Sequence, residues 1–362
     1  MGSESPSVDY AAIGHQDSWC QVVAFINAMR DTNKEALTME QIQEIFPWIP
    51  PRVVFRIDSH SILPDCVAHG VYIETFIPPE QLRSGTMAPL IKKVKLAAAC
   101  AEREGARIAS LGGFTSILLE GNTGLLSSSG TTAFTTGNTL TAALIAKGVE
   151  KACDVHGIEL RASRLLVIGS TGDIGSACVR YFSPKVFMVL LNARKEKLLQ
   201  EQHTKLMQEG LNSAYDTELA NLIPLADIVI SVASTPEPLF QMSACRSHTL
   251  VCDAGYPKNI IADDFGQRNR LWHGGMGQLQ GGYEFKPESA LAFYRYPAPN
   301  VSHGCLIESM VLAWEKRYEP FSSGRGQITT ARMDELWSMA QKHGVVIAPF
   351  FNHYGLWTGA NN

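Results

Sequence analysis

No apolar run in this 362-residue chain is long enough to cross a bilayer; Val186–Leu191 falls far short of the roughly 20 residues a spanning helix needs. The opening Met-Gly-Ser-Glu-Ser-Pro-Ser has no basic flank leading into an apolar core, and Pro6 stands where a myristoylation signal beginning at Gly2 requires Ser or Thr. A cytosolic protein with no integral membrane segment is expected. Close cysteine pairs are missing as well. The eight cysteines, at positions 20, 66, 100, 153, 178, 245, 252 and 305, are scattered, which excludes a Cys-x-x-Cys metal site or a dense disulfide framework and leaves free, mostly buried thiols and no metal. An excess of positive charge is absent too: the formal net charge is −4, so no nucleic acid is expected as a partner. There is no internal repeat and no low-complexity tract. With 45% hydrophobic residues the chain can bury one large core or two to three modest ones.

What is present is an apolar strand that turns through three glycines into a helical pattern. Residues 164–180 read Arg-Leu-Leu-Val-Ile-Gly-Ser-Thr-Gly-Asp-Ile-Gly-Ser-Ala-Cys-Val-Arg. Gly169 suits the tight turn, Gly172 lets backbone approach a phosphate, and Gly175 lets the helix pack against the sheet. Ser170, Thr171, Asp173 and Ile174 complete the turn and the helix N-terminus, whose N–H groups face an anion. A glycine triplet alone is weak evidence. Here Ile174, Ala177, Cys178 and Tyr181 follow at helical spacing, so the context a dinucleotide site requires is in place.

Strands and helices alternate beyond the turn: strand Val186–Leu191, helix Glu196–Glu209, a short strand near Ser213–Tyr215, a helix around Thr217–Ile223, then strands Ile228–Val232 and Thr249–Cys252. The alternation predicts an α/β protein with a doubly wound parallel sheet. Such sheets bind ligands at the carboxyl ends of their strands. Ser231–Pro236, with Ala233 and Ser234, and Asp253–Asn259 should therefore line the cofactor crevice. Thr135-Thr-Gly-Asn-Thr139 forms a polar entry to a helix over Thr141–His156, which places Thr136, Asn138 and Thr139 beside the nucleotide fold. Ahead of it, a helical stretch around Cys20–Met29, apolar runs at Val53–Ile57 and Val71–Ile77 and an alanine-rich helix near Leu90–Glu104 indicate an α/β lobe. The expected division is an N-terminal substrate lobe at 1–135, a nucleotide domain at 136–300 and a C-terminal helical segment at 301–362.

The second strand of a nucleotide fold that prefers NAD carries an acid near its end, which bonds the ribose hydroxyls. This chain has Asn192 there, followed by Arg194 and Lys195. A guanidinium grips a phosphate through two parallel bonds, so the expected cofactor is NADPH. The alternative is that Arg194 merely begins a helix in solvent.

Cys305 is the candidate nucleophile. It lies in Ser-His-Gly-Cys-Leu-Ile-Glu, where a glycine-loosened turn starts an amphipathic helix running from His303 to about Tyr318 with Ile307, Met310, Val311, Trp314 and Tyr318 on one side. The helix dipole favours thiolate at such a position, which predicts a depressed pKa. His303 is placed to orient or deprotonate the thiol, and Glu308 is one turn further on. Most free cysteines are inert packing, as Cys178 and Cys252 should be.

Five segments then carry a family resemblance: Ser110-Leu-Gly-Gly-Phe-Thr-Ser116, Thr135–Thr139, Gly169–Ala177, Asp253-Ala-Gly-Tyr-Pro-Lys-Asn259 and Gly324-Arg-Gly-Gln-Ile-Thr329. In order and spacing, from about Ile13-Gly-His15 to His343-Gly344, the chain resembles the long-chain acyl-[acyl-carrier-protein] reductases, which form aldehydes. The resemblance implies a two-step, NADPH-dependent reduction of a fatty acyl thioester through a covalent acyl-cysteine at Cys305. Tyr256 and Lys258 then become candidates for oxyanion or substrate positioning. Gly113, Phe114, Thr115 and Ser116 become neighbours of the thioester or the nicotinamide. The carrier is an acyl carrier protein or CoA, with Lys92, Lys93 and Lys95 either a landing point for an acidic carrier or a solvated helix face. An aldehyde-consuming enzyme is a further expected partner. The surroundings of Cys305 and residues 273–300 depart from the family pattern and leave the acyl chain open. A dehydrogenase without covalent catalysis and an NADPH-sensing regulator are the competing readings.

Overall fold

The computed structural model describes residues 7–30, 33–83, 87–119, 122–126, 130–235, 237–262, 269–288 and 294–358. Gly2, Pro6 and Pro236 lie outside the described residues. The chain forms two compact units: the first takes residues 1–137, 279–295 and 305–324, and the second takes 138–278, 296–304 and 325–362. Residues 305–324 fall in the first unit, and 301–304 and 325–362 in the second. The helix carrying Cys305 belongs from that residue onward to the first unit, whereas the final helix and strands belong to the second.

The first unit is built on a six-stranded mixed sheet in the order Tyr283–Lys286, Arg52–His60, Val67–Glu74, Tyr10–Gly14, Ile108–Leu111 and Ala133–Thr135. The first two pairings are antiparallel and the remaining three parallel. Tyr10–Gly14 is buried at every position, as a central parallel strand covered on both faces must be. Its Ile13 joins Val71, Ile73, Val94, Ala97, Ala98 and Leu111 in the core against helix Met87–Arg103. Small alanines on that helix let it approach the sheet closely. A capping box between Thr38 and Gln41 starts the short helix Met39–Ile45.

In the second unit six parallel strands are arranged Ser213–Tyr215, Met188–Asn192, Arg164–Ile168, Ile228–Ser231, Leu250–Asp253 and Leu271–His273. Counted from Arg164–Ile168 this is the order 3-2-1-4-5-6 of a doubly wound dinucleotide fold, so the expected α/β class holds. The strand order reverses between Arg164–Ile168 and Ile228–Ser231, whose residues Ile168 and Ser231 are paired at the carboxyl edge. A crevice for ligand belongs at this switch point. A second, small sheet joins Val301–His303 antiparallel to residues 276–278, with Met276 opposite His303. His303 therefore ends a strand, and the following helix begins only at Gly304. No helix among the described residues is long and apolar enough to cross a membrane.

Candidate active site

In the second unit the glycine turn has the geometry its sequence suggested. Gly169 has a φ of +82°, and its N–H and that of Ser170 donate to the Asn192 carbonyl at 2.8 and 3.0 Å. A Cβ on Gly169 would press 3.2 Å from the Val232 carbonyl and the Ala233 nitrogen, and one on Gly175 would come within 2.8 Å of the Gly169 carbonyl carbon. The glycines thus let three backbone segments meet at the switch point. Gly172 caps helix Asp173–Phe182 without a side-chain bond, leaving the first N–H groups to an incoming anion. The Ser170 hydroxyl is buried at this turn with no partner among the described residues.

Asp173 ties the turn to two other segments. One carboxylate oxygen accepts from the Asn138 amide at 2.9 Å and the other from the Gly326 N–H at 2.9 Å. Burial raises its pKa, while those two donors and Arg180 oppose the rise. Arg180 in turn donates to the Gly326 and Ile328 carbonyls at 3.1 and 2.5 Å. Gly326 and Ile328 are in this way fastened to the helix that follows the turn, a contact that sequence spacing alone did not reveal. Thr139 is fully buried in the first turn of helix Asn138–His156.

Asn192 spends its amide on the Asp216 and Thr217 carbonyls at 2.9 and 3.1 Å, so it braces the loop that an acid would leave free. Arg194 and Lys195 are exposed. Ala233 is partly exposed and Ser234 exposed, in the loop after strand Ile228–Ser231. Asp253 is buried and organises its own loop, accepting from Gly255, Asn259 and Ile260 N–H groups at 3.0, 2.7 and 3.0 Å. Lys258 donates to the Asp253 and Gly255 carbonyls at 3.2 and 3.3 Å. The Tyr256 ring lies edge-on to His303, 6.4 Å between centroids. His273, buried beside Lys258, His353 and His303, is driven down to about 2 and stays neutral.

In the first unit, Cys305 is the second residue of helix Gly304–Trp314 and remains partly exposed. A Cβ on Gly112 would lie 3.7 Å from its sulfur, and one on Gly137, at φ +73°, would come within 2.6 Å of its Cα. Two glycine-bearing turns therefore close on this cysteine. The backbone N–H groups of Leu306, Gly113 and Cys305 itself favour the thiolate. Burial outweighs them and pushes the thiol up to about 11, so the depressed pKa expected from the helix dipole is not found. Cys178 and Cys252, as expected, are fully buried, and burial drives both thiols upward, Cys178 to about 12.

Beneath Cys305 the helix rests on polar groups. Thr135 donates to the buried Glu308 carboxylate at 2.5 Å, Thr136 bonds the Ser322 hydroxyl, and Ser110 donates to Ser309 at 3.1 Å. Thr136 thus holds the loop at Ser322 in the first unit, its N–H also donating to the Ser322 carbonyl. Gly113 caps the short helix Phe114–Leu118 at φ +52°, and Phe114, Thr115 and Ser116 are all buried. Thr115 donates to the Gly112 carbonyl at 2.9 Å, holding the turn next to the sulfur. His15, Gln16 and Glu74, which sequence reasoning did not single out, stand behind that turn. Among the described residues no group of three or more His, Cys, Asp or Glu side chains is arranged to hold a metal.

The chain is 32% identical over 314 residues to the long-chain acyl-[acyl-carrier-protein] reductase of Synechococcus elongatus, covering 84% of this chain and 90% of that protein. It belongs to that family. No family model matches. Among solved structures, the nucleotide-binding domain of glutamyl-tRNA reductase from Thermoplasma volcanium is 20% identical, covering 36% of this chain and 83% of that one with a TM-score of 0.28. Glutamyl-tRNA reductase from Methanopyrus kandleri is 18% identical, covering 52% and 47% with a TM-score of 0.29. Family membership joins the nucleotide turn and the cysteine in one enzyme class without assigning either a role.

Proposed function

We propose that the protein reduces a fatty acyl thioester, carried by an acyl carrier protein or CoA, to the aldehyde with NADPH, through an acyl group held on Cys305. The observation that carries this reading is the placement of Cys305, a partly exposed thiol at a helix N-terminus on which the turns at Gly112 and Gly137 close. An inert packing cysteine has no use for that arrangement.

NADPH fits the second unit on physical grounds. The backbone cradle leaves no room for a Cβ at Gly175 and crowds one at Gly169 and Gly172, the buried Ser170 hydroxyl awaits a partner, and Arg194 and Lys195 are exposed just past the second strand. The turn would hold the pyrophosphate and the two cations the 2′-phosphate. When bound, NADPH supplies the hydride that reduces the acyl carbon.

The remaining chemistry falls to the chain. The Cys305 sulfur attacks the thioester carbonyl, and the bond from that carbon to the carrier sulfur breaks. The proton leaving Cys305 ends on the carrier thiol. One thioester replaces another, so no activating nucleotide is consumed. Because the thiol sits near 11, its proton must be taken as attack proceeds, and His303, two residues earlier, is the base we assign. Gly113 and Leu306 N–H groups stabilise negative charge at the reacting centre. Hydride addition and uptake of one proton from solvent leave a thiohemiacetal, which collapses: the carbon–sulfur bond to Cys305 breaks, the hydroxyl proton passes to the departing sulfur and restores the thiol, and aldehyde leaves. Tyr256 is the side chain we assign to orient the oxyanion. Lys258 acts through the loop carbonyls it holds. A reactive aldehyde also suits transfer to a consuming enzyme.

Incubation with NADPH and an acyl-carrier thioester tests the reading. Aldehyde formation that is lost in Cys305→Ser is expected. Aldehyde formation retained in that variant indicates non-covalent reduction, and NADPH binding without oxidation indicates a sensor.

A further inference from the structure

The turn beside Cys305 is held from behind by an imidazole. The Phe114 N–H donates to His15 Nε2 at 3.0 Å, and His15 Nδ1 bonds the Gln16 carbonyl at 3.0 Å. A ring nitrogen that accepts must be unprotonated, so Nδ1 carries the hydrogen and donates it. Burial lowers the His15 pKa to about 4, which keeps this neutral tautomer through ordinary pH. The Phe114 ring lies 4.9 Å from the imidazole, and a Cβ on Gly113 would come within 3.2 Å of His15 Cε1. Only glycine, at φ +52°, lets the Gly113–Phe114 peptide lie against the ring.

His15 is itself fixed. Gln16 donates to Glu74 at 2.6 Å, and the other Glu74 oxygen accepts from the Phe76 N–H at 2.7 Å. Parallel pairing of Gly14 with Glu74 sets these residues side by side, and Thr75 donates to the Gly14 carbonyl through both its N–H and its hydroxyl, at 3.0 and 2.8 Å. The chain of contacts runs from a buried carboxyl through Gln16 to the imidazole and then to the Phe114 N–H, at the end of the turn whose Gly112 lies against the Cys305 sulfur.

We propose that His15 is a positioning residue for Cys305: by accepting the Phe114 N–H it fixes the Gly112–Gly113 turn, where a Cβ on Gly112 would lie 3.7 Å from the sulfur. The role at the thiol is independent of the acyl chemistry; its catalytic value rests on the function proposed above. Displacement of a catalytic donor by about 1 Å costs on the order of 100-fold in rate, so the effect should be large.

The test is alkylation of Cys305 by iodoacetamide in the full-length protein, followed by peptide mass spectrometry across mildly alkaline pH. His15→Gln keeps an acceptor near the Nε2 position, whereas His15→Asn retains only the bond to the Gln16 carbonyl and His15→Leu retains neither. Alkylation of the Gln variant is expected within about threefold of the unaltered protein. In the Asn and Leu variants it should fall at least tenfold, with the pH profile displaced upward, while melting stays cooperative and NADPH binding is unchanged. A folded Asn or Leu variant alkylated like the unaltered protein overturns the proposal, as does a Gln variant impaired like the others. If alkylation depends on His15 but no acyl adduct forms on Cys305 in any variant, the positioning role stands and the reductase reading fails.

Discussion

Gly137 and Cys305 are so close that a methyl group on the glycine would reach within 2.6 Å of the cysteine Cα. At a φ of +73° the glycine also occupies backbone space that other residues enter at a cost. Gly137→Ala must therefore displace the first turn of the cysteine helix. A stability loss of about 1–3 kcal/mol is expected by urea denaturation, with at least a tenfold loss of Cys305 alkylation and with NADPH affinity retained.

Gly175→Ala should have the opposite distribution of effects. Its methyl would collide with the Gly169 carbonyl and lift the helix off the nucleotide turn. NADPH affinity, read by fluorescence titration, is expected to fall about tenfold or more, while Cys305 alkylation is unchanged.

Arg194→Ala separates the two nicotinamide cofactors. Arg194 is exposed after the second strand, where its guanidinium can meet a 2′-phosphate. Loss of a charged hydrogen bond costs about 1.5–3 kcal/mol, so NADPH affinity should fall roughly 10- to 100-fold while NADH affinity changes little. Equal loss for both cofactors would place the phosphate elsewhere.

Glu74 makes stability depend on pH. It is fully buried, and burial raises its carboxyl to about 7 against the bonds from Phe76 and Gln16, which lower it. The folded state therefore holds a proton that the unfolded chain has already released. Stability from this group is fully present below the ordinary glutamate pKa and is lost as pH rises through about 7, on the order of 3 kcal/mol in all. Glu74→Gln should flatten the dependence of urea midpoints between pH 4 and 8.

The nucleotide half was readable because its signals are local. The short strand Ser213–Tyr215 lies where alternation placed it, and the glycine turn needs only contiguous residues. The strand expected from Val186 starts at Met188, since the Val186 N–H still bonds the Phe182 carbonyl in the trailing helix turn. Helix Asn138–His156 begins three residues before Thr141 because Asn138 is held by Asp173. Much of the site around Cys305 was hidden. Gln16 and Glu74 are 58 positions apart and meet only through parallel pairing of Tyr10–Gly14 with Val67–Glu74, a juxtaposition that no spacing rule encodes. The thiol pKa depends on how deeply the sulfur is buried, a tertiary property, so the dipole argument alone gave the wrong sign.

Mass measurement of the intact chain after exposure to an acyl-carrier thioester, before any NADPH is added, reaches the covalent step itself. The expected result is a mass increase of one acyl group that maps to Cys305, is absent in Cys305→Ser, and disappears with release of aldehyde once NADPH is supplied. Steady aldehyde production by a chain that never carries the acyl group, or by Cys305→Ser, would contradict it.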